Sequence, residues 1–139
     1  MNATVLYRSA SILYLLFAAG HTYGSLKFKA PTPEGRAVIE SMNNVHFQVR
    51  GATFSYGGFY QGMTLTVTVF LLSYAALSWM LGTLARENPQ AIQGFGWVLF
   101  LSQLVLIGLS WKYFSAAPAA FSTVTAICLG WAAWLVSAR

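Results

Sequence analysis

Four long runs of apolar residues constrain this chain more than any other feature of its sequence. They cover residues 3–23, 59–83, 92–111 and 118–136, and only the first contains a charged residue, Arg8. A helix needs roughly 20 mostly apolar residues to cross a bilayer. A soluble helical bundle would instead need a charged face on each helix. The runs therefore predict four membrane spans.

Charge content supports the same interpretation. Charged residues make up 8% of the chain, whereas a typical soluble domain has about 25%. This excludes most soluble enzymes, and despite the net charge of +5 it predicts no nucleic-acid partner. The single cysteine, Cys128, excludes a disulfide within the chain.

The connections between the runs predict how the spans are arranged. Segments 85–91 and 112–117 are short, and short links join antiparallel helices. The predicted fold is an all-α integral membrane protein, an antiparallel four-helix bundle forming one domain over residues 1–139. The first run has the small residues of a signal peptide near its end, but we expect it to be retained as a helix of the bundle.

The long connection 24–58 contains a pattern typical of an amphipathic helix over residues 33–50. Thr32 can cap its start ahead of Pro33, and Gly51 can end it. We expect this helix to lie at the membrane surface with its apolar stripe in the acyl region. The stripe, at spacings of i, i+4, i+7 and i+11, consists of Val38, Met42, Val45 and Val49.

The predicted topology places most polar residues at one end of the bundle, with the 24–58 connection. Five Lys and Arg residues fall at this end, against three at the other end (Arg8, Arg86 and Arg139). Because positive residues favour the cytoplasm in short loops, the count favours a cytoplasmic 24–58 connection.

Any polar chemistry is expected at this end, and the candidate acid–base residues are His21, Glu40 and His46. His21 leaves the first span between two glycines, and a histidine at that depth can transfer a proton or contact a headgroup. Ordinary interfacial and surface positions explain the same residues. Candidate ligand-binding residues are Tyr23, Asn43, Arg50, Tyr56, Tyr60 and Gln61.

Neither a cofactor nor a metal is predicted. A bis-histidine haem needs two histidines at one depth on facing helices, and His46 lies more than ten residues before the second span. A zinc site needs three or four ligands, which the few histidines, acids and Cys128 do not supply in a recognisable spacing.

Small residues predict close helix packing. Gly58 and Gly62 form a small-xxx-small pair, and Ala126 with Gly130 forms another; such pairs let membrane helices approach closely. Gln61 and Gln103 need hydrogen-bond partners, because an unpaired amide in hydrocarbon costs several kcal/mol.

Part of the sequence, roughly residues 20–86, resembles a group of small bacterial four-span membrane proteins of uncharacterised function. The shared elements are Gly20-His21-Thr22-Tyr23-Gly24, Gly51, and Ser55-Tyr56-x-x-Phe59-Tyr60-x-Gly62. The resemblance implies four spans and a bacterial inner membrane, and it implies no activity. The group carries an aromatic residue and an acid where this chain has Gly57 and Gly58, so no carboxylate role transfers there.

Three classes of function remain open from the sequence. An accessory or scaffolding subunit, packing against other membrane helices in a homo-oligomer or a larger complex, is favoured by the small residues and short loops. A membrane enzyme or binder of a lipid-like molecule is the alternative, with its polar site at the end holding His21 and His46. A transporter is disfavoured, because no span is interrupted and no repeat is present.

Overall fold

The computed structural model describes residues 2–138, so Arg139, which entered the charge count for orientation, lies outside the described residues. The chain is almost entirely helical, with one short hairpin. Four of its helices are long and apolar enough to cross a membrane. The elements are α1 (Ala3–Lys27), α2 (Pro33–Asn44), β1 (His46–Val49), β2 (Ala52–Ser55), α3 (Tyr56–Glu87), a 3-10 turn (Pro89–Ile92), α4 (Gln93–Tyr113) and α5 (Ala116–Ser137).

The prediction of a helix over residues 33–50 extends too far at the carboxyl end. Thr32 caps α2 as predicted, since its hydroxyl accepts from the Gly35 backbone N–H at 3.1 Å, but the helix ends at Asn44. The residues that follow form an antiparallel hairpin in which Phe47 faces Phe54. Val45 and Val49 therefore do not belong to a helical stripe, and Val38, within α2, is 59% exposed.

Two compact units divide the described residues. We call the first the terminal unit: it contains the residues up to Phe17 and those from Leu71 onward. The second, Ala18–Phe70, is called the connecting unit. Helices α1 and α3 contribute residues to both units.

Small side chains form much of the core of the terminal unit. The Ser11 hydroxyl donates to the Ala75 carbonyl at 2.7 Å, joining α1 to α3. Gly130 of α5 lies so close to the Phe100 ring that an added Cβ would be 2.9 Å from it. Such short side chains allow the backbones to approach closely, as in membrane helix packing generally. The buried small residues include Ala10, Ala85, Ala119, Ser122, Ala126, Ala132 and Ala133.

One buried polar pair also links helices in this unit. The Gln103 amide of α4 donates to the Tyr14 hydroxyl of α1 at 2.8 Å, and both side chains are almost completely buried. The partner that the sequence requires for Gln103 is thus a tyrosine on the first helix.

The connecting unit has almost no core of its own. Of residues 18–70, only Ala18 and Ala30 are buried. Its helical segments meet along a narrow polar contact, and most of its apolar and aromatic side chains are exposed.

Candidate functional site

Polar groups join the α1 and α3 segments of the connecting unit along a strip that we call the polar seam. His21, Thr22, Thr64 and Thr68 form its contacts, and Gln61 lies on the same face of α3. The three residues from α3 share one face, because residues three and four apart are neighbours on a helix. The His21 Nε2 atom lies 3.2 Å from the Thr64 carbonyl oxygen. The two threonine hydroxyls, of Thr22 and Thr68, lie 2.8 Å apart.

The donors in the seam can be assigned from simple valence. The Thr22 hydroxyl donates its one proton to the Ala18 carbonyl at 2.8 Å, so the Thr68 hydroxyl donates to Thr22. A carbonyl only accepts, so His21 donates through its Nε2–H. In contrast, the Gln61 Nε2 atom is buried without a hydrogen-bond partner among residues 2–138.

The second histidine has a different environment. His46 is exposed at the start of β1, and its Nδ1 lies 2.8 Å from the carbonyl oxygen of Asn44. The two candidate acid–base histidines therefore bond to different backbone groups, His21 across helices and His46 within its own turn.

Arg50, a candidate ligand-binding residue predicted to lie on a helix, instead occupies the tip of the hairpin. Arg50 and Gly51 both have positive φ, 50° and 84°, the combination that a two-residue type I′ turn requires. Positive φ is uncommon for residues other than glycine. This backbone conformation is therefore less favourable for Arg50 than for Gly51. Sequence reasoning missed this turn.

Aromatic side chains cluster around the hairpin. The Phe47 ring lies 4.8 Å from Tyr56, 5.9 Å from Phe59 and 6.0 Å from Phe54, measured between centroids. These contacts tie the hairpin to the first turn of α3. The tyrosines Tyr23 and Tyr60, two of the candidate ligand-binding residues, are 68% and 65% exposed.

Glu40 and Asn43 border a surface depression of about 420 Å³ beside α2, which we call the α2 depression. Asn43 reaches it from a position so close to α3 that a side chain on Gly57 would overlap its amide oxygen. Cationic residues lie on the same depression, namely Lys29 and Arg36.

The predicted packing glycines differ in their surroundings. Gly130 and the buried Ala126 pack inside the terminal unit. Gly62 has open space where a side chain would be, as do Gly20 and Gly24 on α1, and Gly58 meets only the nearby Ser55 hydroxyl. Gly20 and Gly24 on α1 and Gly62 on α3 therefore leave open space on both helices.

Within residues 2–138, no three histidine, cysteine or acidic side chains are grouped so that they could hold a metal ion. Comparisons of the chain with protein-family models, curated proteins and solved structures gave no significant match.

Proposed function

We propose that this protein is an accessory or scaffolding subunit of a bacterial inner membrane, which packs its connecting unit against the helices of another membrane protein. In this proposal the four apolar helices form one antiparallel bundle and a single membrane domain. The 24–58 connection lies on the cytoplasmic side, as the distribution of Lys and Arg favours.

The observation that carries the proposal is the exposure of the connecting unit. It buries only Ala18 and Ala30, yet it consists of two helical segments, a further helix and a hairpin. Gly58 and Gly62 are one turn apart on α3, and no other helix fills the space beside Gly62. Small-xxx-small pairs of this kind are typical of helix–helix interfaces in membranes.

An amide without a hydrogen-bond partner lies on the same helix. The Gln61 Nε2 atom is buried without a hydrogen-bond partner among the described residues. In hydrocarbon an unsatisfied polar group costs several kcal/mol, because no water is present to compensate. Because this chain already covers the Nε2 atom, a neighbouring helix would reach it only if the Gln61 side chain turned outward.

The length of α3 is consistent with an interface that begins at the membrane surface. Its 32 residues span about 48 Å at 1.5 Å per residue, whereas the hydrocarbon core is about 30 Å thick. A helix of this length tilts or extends into the headgroup region, so a partner can contact its first turns on both sides of that boundary.

The proposal is tested by comparing the native assembly of three forms of the full chain: the wild type, Gly62→Leu and Gly108→Leu. Both glycines are matched in their surroundings, because a Cβ added at either position would meet no other group within 4 Å. Each form is extracted in polymer-bounded native membrane discs and analysed by cross-linking and mass spectrometry.

We expect a second membrane protein in fixed ratio with the wild type and with Gly108→Leu, cross-linked near α3, and its loss with Gly62→Leu. A wild type that carries lipid only, or that associates only with its own copies, would overturn the accessory-subunit proposal.

The alternative, a membrane enzyme or lipid binder acting through His21 and His46, has less support. His21 donates to a backbone carbonyl in the seam. The α2 depression is lined by other residues.

A further inference from the structure

The α2 depression has the composition of a binding site for a zwitterionic headgroup. One face of α2 supplies Arg36, Ile39, Glu40 and Asn43, and the segment after α1 supplies Phe28 and Lys29. Its volume of about 420 Å³ lies within the range of about 300–1,000 Å³ that is typical of small-molecule sites. With Ala30 and Asn44, which also line it, the depression combines both signs of charge with two amides and three apolar side chains.

The opposite charges on the depression do not neutralise one another. Arg36 and Glu40 are four residues apart on α2, a spacing at which ion pairs commonly form. Yet the Arg36 Nη1 donates to the carbonyls of Ala30 and Pro31, at 3.4 and 3.3 Å. Among residues 2–138, a salt bridge forms only between Arg86 and Glu87, so the Glu40 carboxylate has no cationic partner there.

The depression lies beside the end of an apolar helix, where a spanning helix would reach the headgroup layer. Phe28 and Lys29 directly follow Lys27, the last residue of the apolar helix α1. Lysine at such a boundary places its charge at the interface while its stem stays on apolar surface. A ligand here meets both charged groups and the apolar side chains of Phe28 and Ile39.

We infer that the α2 depression binds a phospholipid whose headgroup carries a phosphate and a primary ammonium group, as in phosphatidylethanolamine. Lys29 and the free guanidinium N–H groups of Arg36 bind the phosphate, since such charge-assisted contacts are the strong ones. Glu40 accepts from the ammonium N–H groups, and the Asn43 amide supplies further hydrogen bonding. Phe28 and Ile39 contact the glycerol and the first acyl carbons.

The charge pattern also predicts selectivity. A quaternary ammonium has no N–H to donate to Glu40, and its usual recognition element, a cage of several aromatic rings, is replaced here by Phe28 alone. An anionic headgroup without a cation places no positive group opposite Glu40. The site therefore favours phosphatidylethanolamine over phosphatidylcholine and phosphatidylglycerol.

The test measures lipid retention by native mass spectrometry on the full chain, purified and then incubated with one of three lipids of identical acyl chains. These are phosphatidylethanolamine, phosphatidylglycerol and phosphatidylcholine. We expect the wild type to retain phosphatidylethanolamine about tenfold better than phosphatidylglycerol, the size of effect given by one hydrogen bond between charged groups. Glu40→Gln should bring this ratio close to one, and Arg36→Gln should weaken retention of all three lipids.

Glu34→Gln is the matched control, because Glu34 is the acidic residue in the first turn of the same helix and does not border the depression. It should leave the ratio unchanged. Equal retention of all three lipids by the wild type, or a change with Glu34→Gln as large as with Glu40→Gln, would overturn the inference.

A second arm distinguishes the lipid from a soluble compound with the same headgroup. Free glycerophosphoethanolamine should not displace the lipid at micromolar concentration, because the acyl chains supply most of the binding; displacement would reassign the site to a soluble ligand. Gly62→Leu should retain lipid as the wild type does, so failure here is separate from failure of the subunit proposal.

Discussion

The imidazole of His21 donates from Nε2 to the backbone carbonyl of Thr64, 3.2 Å away on the other helix of the polar seam. An intramembrane histidine commonly indicates function, and here it also has a structural role, since it joins α1 to α3. The neighbouring Thr22 and Thr68 hydroxyls, 2.8 Å apart, form a second link across the same helices.

The two links predict a modest loss of stability when either is removed. His21→Leu should destabilise the chain by about 0.6–2 kcal/mol, the range found for hydrogen bonds between membrane helices. A double-mutant cycle of Thr22→Val and Thr68→Val should give a coupling of about 0.6 kcal/mol. Stability is measured by steric trapping in lipid. His46→Leu is the control and should change little, because His46 bonds within its own turn; equal effects at the two histidines would contradict the assigned role of His21.

Buried pairing between Tyr14 and Gln103 gives a second prediction. Gln103→Leu leaves the Tyr14 hydroxyl without its donor, and Tyr14→Phe leaves the Gln103 amide without its acceptor. Each variant should lower the free energy of unfolding by about 1–3 kcal/mol, the penalty for a buried polar group left unsatisfied. The double variant should lose less stability than the two single variants lose in sum, because it removes both polar groups together. Additive losses in the same unfolding assay would show that the two groups do not act as a pair.

The hairpin turn predicts opposite effects at adjacent positions. Gly51→Ala places a side chain at a φ of 84°, which should destabilise the hairpin by about 1–2 kcal/mol. Arg50→Asn should stabilise it, because asparagine tolerates positive φ better than arginine does. Hydrogen exchange of the β1 and β2 amides measures both effects. Faster exchange with Arg50→Asn, or no change with Gly51→Ala, would be inconsistent with a type I′ turn.

The sequence predicts the long helices well and their contacts poorly. Uninterrupted apolar residues are a local property, so the predicted run 92–111 corresponds closely to α4, Gln93–Tyr113. The partner of Gln103 is Tyr14, 89 positions away along the chain, and no local pattern selects it among the hydroxyl-bearing residues. Sequence reasoning could therefore state that Gln103 needs a partner without naming it.

The predicted helix wrongly included residues 45–50, because their apolar residues fit both the period of a helix and the period of a strand. Val38, Met42, Val45 and Val49 follow the helical spacing, whereas Val45, Phe47 and Val49 alternate as a strand does. Arg50-Gly51 is the signal that distinguishes them, since a two-residue turn ending in glycine between alternating residues indicates a hairpin. In the polar seam the spacing alone predicts that Gln61, Thr64 and Thr68 share one face of α3. Only the fold brings His21 to the carbonyl of Thr64.

The contact between Gly96 and Tyr7 provides the last prediction. A side chain on Gly96 would overlap the Tyr7 hydroxyl and approach Ala133 at 3.0 Å. Gly96→Ala should therefore destabilise the chain by about 1–3 kcal/mol through overpacking, although alanine is the better helix former by up to about 1 kcal/mol. The Tyr7 hydroxyl is buried with no hydrogen-bond partner among residues 2–138, so Tyr7→Phe alone should be nearly neutral. Combined with Gly96→Ala, it should recover part of the lost stability.

Gly108→Ala, with open space on the same helix, is the control and should be neutral or stabilising. A loss at Gly108 as large as that at Gly96, measured by the same trapping assay, would assign the effect to the helix backbone rather than to the Tyr7 contact.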